Sequence, residues 1–189
     1  MTARVLVAGI GNIFLSDDGF GVEVVRRLVQ RELPADVEVV DIGIRGMHLA
    51  YQLLDGYKAL LIIDAAPRGG QPGDLYVIEP DLASIPEDDG SLLNAHGMQP
   101  DAVLSLIKTM ARDYASPDDG AVHGIERVLV VGCEPETVDE GMGLSPPVAA
   151  AVDAAVDMVL RVLDTELRDT LHDTTLHDTT LQDTRCRGA

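Results

Sequence analysis

Two aspartates and one histidine, in three separated segments, are the residues most suited to shared chemistry. Asp18 lies in Gly9-Ile-Gly-Asn-Ile-Phe-Leu-Ser-Asp-Asp-Gly-Phe-Gly21, Asp64 in Leu61-Ile-Ile-Asp-Ala-Ala66, and His96 in Asn94-Ala-His-Gly97. The first two segments end predicted strands and the third is a loop, so an α/β chain would gather all three at one edge of a single sheet. Two carboxylates and an imidazole suit one divalent ion, held weakly and left open on its other sides. A cation in such a site lowers the pKa of bound water and polarises a nearby carbonyl.

Each residue also has a plainer reading. Aspartate is a favoured helix N-cap, and Asp17 is assigned that structural role, which leaves its neighbour Asp18 unexplained. Asp64 could bind loop amides, and His96 could be a solvated loop residue. The Gly9-x-Gly11 pair is a poor dinucleotide fingerprint, because Phe14 occupies the place of the third glycine and Asp17 and Asp18 would repel a phosphate. The chain has no Gly-x-Ser-x-Gly elbow and no His-Glu-x-x-His helix. Cys133, at the end of an apolar run, reads as inert packing. His48 and His123 receive no role.

The elements that must position these residues alternate between strand and helix. Arg4–Ala8 is a short buried strand, followed by a helix near Gly19–Glu32 with Val22, Val25, Leu28 and Val29 on its apolar stripe and Pro34 ending it. Val37–Asp41 is a second strand, and Gly43 and Gly46 bracket a turn before a helix near Met47–Leu54. Ala59–Asp64 is apolar on both faces, as a central parallel strand should be. Leu75–Ile78 is a fourth strand at an edge, Pro80–Ala95 a long loop, Pro100–Arg112 a helix, Arg127–Gly132 the last strand, and Pro146-Pro147 opens a helix reaching Leu163. This order predicts a three-layer αβα sandwich with a twisted, mostly parallel sheet of about five strands.

Length and composition agree. The 189 residues contain 46% hydrophobic side chains, enough for one domain over residues 1–165 with a Val, Leu, Ile and Ala core. Residues 166–189 carry the five-residue repeat Asp173-Thr-Thr-Leu-His177 and Asp178-Thr-Thr-Leu-Gln182, which matches neither strand nor helix period. They are read as a low-complexity, disordered tail, with His172 and His177 solvated rather than metal-binding. A net charge of −18 opposes nucleic acid and anionic membranes. Two cysteines, no visible signal peptide and no apolar run near the length of a membrane span lead us to expect a cytoplasmic protein.

Taken in order, Gly9-Ile-Gly-Asn12, Asp17-Asp18-Gly-x-Gly21, Ile63-Asp64-Ala65, His96, Gly132-Cys-x-Pro135 and Gly143-Leu-Ser-Pro146 resemble the hydrogenase maturation proteases. The similarity spans residues 4 to about 163, and the tail matches nothing in the family. The resemblance implies a nickel-dependent endopeptidase that removes a C-terminal extension from the precursor large subunit of a nickel–iron hydrogenase. Nickel would arrive with that precursor, so that cleavage checks metal insertion. Asp18, Asp64 and His96 fall on the family's metal-contacting and catalytic positions, and Gly43, Arg45 and Gly46 on the turn near its substrate site. The protein is expected to act as a monomer. Two departures stand out: Asp18 replaces a common glutamate, and Ile44 a common threonine. Two questions stay open at this level. Nickel could activate water or only dock the substrate, and the chain could be a non-catalytic nickel-binding or assembly module.

Overall fold

The computed structural model describes residues 4–53, 55–80, 105, 125 and 127–167. The predicted loop 80–95 beyond its first residue, most of the helix 100–112, His96 and the repeat tail lie outside the described residues.

Five strands form one sheet: β1 (Val5–Ile10), β2 (Val37–Gly43), β3 (Ala59–Ala65), β4 (Leu75–Ile78) and β5 (Arg127–Cys133). Their spatial order is β2-β1-β3-β5-β4, with β4 alone antiparallel at the edge. β1 and β3 are buried along their whole length, which explains why neither alternates polar with apolar residues. The helices described along their length are α1 (Phe20–Leu28), α2 (Gly46–Leu53) and α3 (Pro146–Thr165).

The two faces of the sheet are covered separately. Val5, Val7, Leu61, Ile63, Leu129 and Val131 pack under α1 and α3. Their sequence neighbours Leu6, Ala8, Leu60, Ile62, Val128 and Val130 point the other way, against Leu49 and Leu53 of α2 and Tyr57. Burying each large aliphatic side chain contributes roughly 1.5–3 kcal/mol, so the core holds the strand ends in fixed register. α3 starts with two prolines, whose φ suits a first helical turn. It buries Val148, Val152, Ala155, Val156, Val159 and Leu163 on one stripe.

Several boundaries differ from the sequence reading, those of α1 and β2 most consequentially. The predicted helix at 19–32 is a 3-10 turn (Ser16–Gly19) followed by α1, which stops at Leu28. The next residues tighten into i→i−3 bonds, Gln30 N–H to Arg27 O and Arg31 N–H to Leu28 O, and Val29 is left 56% exposed instead of on the stripe. Pro34 therefore follows a helix that has already ended. β2 runs on to Gly43, past a register shift opposite Gly9 and Ile10. Gly43 thus ends a strand with φ +56°, instead of simply opening a turn.

Candidate active site

The site grows from the carboxyl ends of β1 and β3. Pairing of Gly9 with Ile63 sets the residues after each strand side by side. α1 then lies directly on the sheet because Gly21 has no side chain: a Cβ there would collide with the carbonyls of Ile63 and Ile10. Gly11, at φ +124°, is the second required glycine. Its missing Cβ leaves room for the Asp18 carbonyl, and a Cβ there would also stand 3.6 Å from Asp64 Oδ1. The strand–turn–helix segment 9–21 therefore folds Asp18 back toward the end of β3, where Asp64 sits.

The two carboxyl groups occupy unlike surroundings. Asp18 is half-buried, and its Oδ2 accepts the Asn12 N–H at 2.6 Å. Burial pushes its pKa up and the Asn12 hydrogen bond opposes that, with a net rise. Asp64 is 1% exposed, and its Oδ1 has no hydrogen-bond partner among the described residues. Burial raises its pKa well above the usual carboxylate range, the nearby Asp18 charge adds to this, and the Ala65 N–H only partly offsets it. Two carboxyls that disfavour joint ionisation, one with an orphaned buried oxygen, make a site completed by a proton or a cation. Of the two, Asp64 is the carboxyl whose ionised form burial disfavours more strongly.

Asp17 does something else. It is fully buried, and its two oxygens accept four hydrogen bonds: Ser145 N–H at 2.6 Å, Ser145 O–H at 2.8 Å, Glu136 N–H at 2.9 Å and Thr137 N–H at 3.1 Å. It caps neither its own 3-10 turn nor α1. This corrects the N-cap reading: the side chain clamps the loop entering α3 to the loop that carries Asp18. Burial pushes its pKa up, but the hydrogen bonds from Ser145, Thr137 and Glu136 outweigh that and leave it below the ordinary value.

The turn expected to meet substrate has internal bonds. Arg45 Nε donates to Ile42 O at 3.1 Å and an Arg45 Nη to Asp41 O at 2.5 Å, so much of the guanidinium closes its own turn. Gly43 and Gly46 flank it, and Gly43 O accepts the Gly11 N–H at 3.1 Å, which joins this turn to the Asp18 loop. Arg45 lines an open hollow of about 530 Å³ together with Asp41, His48 and Tyr51. No group of three or more His, Cys, Asp or Glu positioned to hold a metal ion occurs among the described residues. The structure thus brings together Asp18 and Asp64, while His96 lies outside the residues it describes.

Sequence reasoning missed two contributors. The Asn12 N–H that steadies Asp18 is a backbone group and leaves no residue-type signal. Glu134, the variable position in Gly132-Cys-x-Pro135, is 6% exposed and accepts hydrogen bonds from Arg68 N–H, Gly69 N–H and Tyr76 O–H. It organises the loop after β3. Burial raises its pKa, and these donors bring it below the ordinary value. A charged residue directly after a buried strand was the available clue. Cys133 is fully buried, and burial together with the charges of Asp17 and Glu134 pushes its thiol up to about 12, consistent with packing rather than nucleophilic attack.

Comparison with known proteins adds the family. Residues 22–162 match the family model described as hydrogenase maturation protease. The chain is 33% identical over 162 residues to the hydrogenase expression/formation protein HupD of Rhizobium leguminosarum bv. viciae, covering 85% of this chain and 74% of that one. It is 29% identical over 177 residues to the hydrogenase 2 maturation protease of Escherichia coli, covering 90% and 99%. The solved hydrogenase maturating endopeptidase HybD from E. coli superposes with a TM-score of 0.64 at 28% identity, covering 86% of this chain and 93% of that one. The match to the family model over most of the chain, together with these relatives, shows that the chain belongs to the hydrogenase maturation protease family.

Proposed function

We propose that this protein is an endopeptidase that removes the C-terminal extension from the nickel-loaded precursor of a nickel–iron hydrogenase large subunit. The observation that carries the reading is Asp64 Oδ1, buried, unpartnered among the described residues and beside Asp18. Such an oxygen is costly unless a proton or a cation meets it. A nickel ion arriving as the precursor's cargo fits this donor set, with His96 as the third ligand, since carboxylate and imidazole are acceptable to nickel. Bound between protein and substrate, nickel supplies Lewis-acid polarisation of the adjacent carbonyl.

The chain's own groups do the rest. With a cation held by Asp18 and Asp64, both carboxyls would stand ionised. One carboxylate accepts a proton from a water molecule as the water oxygen bonds to the scissile carbonyl carbon. That proton passes to the departing amine as the C–N bond breaks, which leaves a new C-terminal carboxylate and a free extension. Asn12 N–H keeps the Asp18 carboxylate from swinging away. Gly43, Arg45 and Gly46 hold the neighbouring turn, which receives the extension, with Arg45 offering the guanidinium donors its own turn does not use. No helix among the described residues is long and apolar enough to cross a membrane. We place the protein in the cytoplasm, acting as a monomer.

Intact-mass measurement of a candidate precursor, before and after incubation with the purified protein, tests this reading. The account expects loss of a single C-terminal fragment. A precursor that binds and keeps its full mass would instead favour a non-catalytic assembly role.

A further inference from the structure

The loop carrying Asp18 has a second property that hydrolysis does not require. The chain has two phenylalanines; Phe20 is fully buried, whereas Phe14 is 60% exposed. Met142 is 78% exposed and Val138 51% exposed. These three belong to two loops that are bonded to each other. Leu15 and Gly141 form a parallel bridge, with Gly141 N–H donating to Phe14 O at 2.9 Å and Ser16 N–H to Gly141 O at 3.0 Å. Among the described residues, the other exposed large apolar side chains, Val29, Ile44, Tyr51 and Val77, are spread over the end of α1, the turn after β2, α2 and β4.

This platform is held rigidly. Ser16 has φ +49°, a backbone state that a non-glycine residue adopts at a cost, and its hydroxyl donates to Asp139 O at 3.0 Å. The buried carboxylate of Asp17 ties both loops together two residues away. Large apolar side chains fixed outward on a stiff support are what a preformed protein interface presents, because little ordering entropy is lost on binding. Exposed Glu136, Asp139 and Glu140 lie along the same loop and give the platform an acidic rim.

We infer that Phe14, Val138 and Met142 form the docking platform for the folded body of the precursor large subunit. This inference rests on the proposed function. Phe14 and Val138 stand exposed beside a hollow of about 290 Å³ whose lining includes Met142, Ile13 and Leu144, and this uneven apolar relief suits the surface of a folded partner. A matching partner would carry basic residues where it meets Glu136, Asp139 and Glu140. Phe14 is four residues from Asp18 on the same short loop, so docking there brings the precursor's C-terminal segment to the carboxylate pair. Recognition of the folded body is thereby separated from recognition of the extension, which meets the turn around Arg45.

The test measures processing rate against precursor concentration for the wild type, the double variant Phe14→Ser/Met142→Ser, Phe14→Leu, and Val29→Ser as an exposed apolar control elsewhere. The platform predicts a KM at least ~10-fold higher for the double variant with kcat changed less than ~2-fold, and near wild-type KM and kcat for both Phe14→Leu and Val29→Ser. Matched thermal melting confirms that the exposed substitutions leave the fold in place. An unchanged KM in the double variant, with active wild type, overturns the platform alone. A wild-type protein that neither binds nor shortens any precursor overturns the proposed function and the platform with it. A wild-type dimer that the double variant converts to monomer in sedimentation shows the patch to be a self-interface and also overturns it.

Discussion

Asp17 and Asp18 are adjacent and chemically identical, yet the structure assigns them opposite thermodynamic signs. Asp17→Asn replaces one carboxylate oxygen by an NH2 group and keeps the shape. Its remaining oxygen serves best at the Oδ2 position, where Glu136 N–H, Thr137 N–H and Ser145 O–H converge. The new amide nitrogen then faces the Ser145 N–H, which the wild type binds at 2.6 Å, so two donors oppose each other. Losing one charge-assisted hydrogen bond costs about 1.5–3 kcal/mol, and weakening three others adds to it, less the relief of no longer burying a charge. The net is roughly 3 kcal/mol, which for a domain of this size lowers Tm by about 6–12 °C. The pH dependence follows the same sign. Hydrogen bonds hold the folded pKa of Asp17 below its ordinary 3.8, so the folded state binds fewer protons than the unfolded chain there. Its contribution is full above that value and is lost as pH falls through the folded pKa. Asp18→Asn, by contrast, removes a charge that repels Asp64, and its Tm should stay within about 2 °C of wild type or rise. Thermal melting followed by circular dichroism at pH 7 and in steps down to pH 3 measures all three proteins. A melting point for Asp17→Asn within about 2 °C of wild type, or an equal loss in Asp18→Asn, would refute the division of roles.

Other outcomes follow from the same geometry. Asp64→Asn should melt at or above the wild-type temperature while abolishing processing, because the raised pKa of Asp64 marks a carboxyl whose ionised form the fold disfavours; melting and intact-mass assays on one preparation read both. Gly11→Ala should lose about 1–3 kcal/mol from the φ +124° backbone and also lose processing, since its Cβ displaces the Asp18 carbonyl; urea denaturation gives the first number. Cys133 should resist iodoacetamide at pH 8 in the folded protein and react once the protein is denatured, as peptide mapping will show; ready labelling of the native thiol would mean that the end of β5 opens.

What the sequence revealed and what it hid follow physical lines. β3 was legible because a strand buried on both faces must be apolar throughout, so Asp64 at its end stood out. The edge position of β4 and the start of α3 followed from glycine and proline placement. The length of α1 was not legible: Val29 has the right spacing for the stripe, but the helix ends before it, and nothing local to the sequence marks that end. Asp17 was recognised as structural for the wrong reason. A helix cap is a local signal, whereas its actual partners lie about 120 residues away, at Glu136, Thr137 and Ser145. Arg45 was expected to reach substrate, and its bonds to Asp41 O and Ile42 O depend on β2 running two residues further than its apolar pattern shows. The approach of Asp18 to Asp64 follows from both segments lying at strand carboxyl ends, whereas the role of Gly11 in permitting it depends on a backbone contact with the Asp18 carbonyl that leaves no residue-type signal.

The central claim is that the carboxylate pair works on a substrate that brings its own cation. Intact-mass kinetics on one precursor, prepared nickel-loaded and nickel-free and offered to wild type and Asp64→Asn, test it most directly. The account predicts that wild type shortens the loaded precursor only and that Asp64→Asn shortens neither. Equal cleavage of the nickel-free precursor by wild type, or wild-type rates from Asp64→Asn, would contradict it.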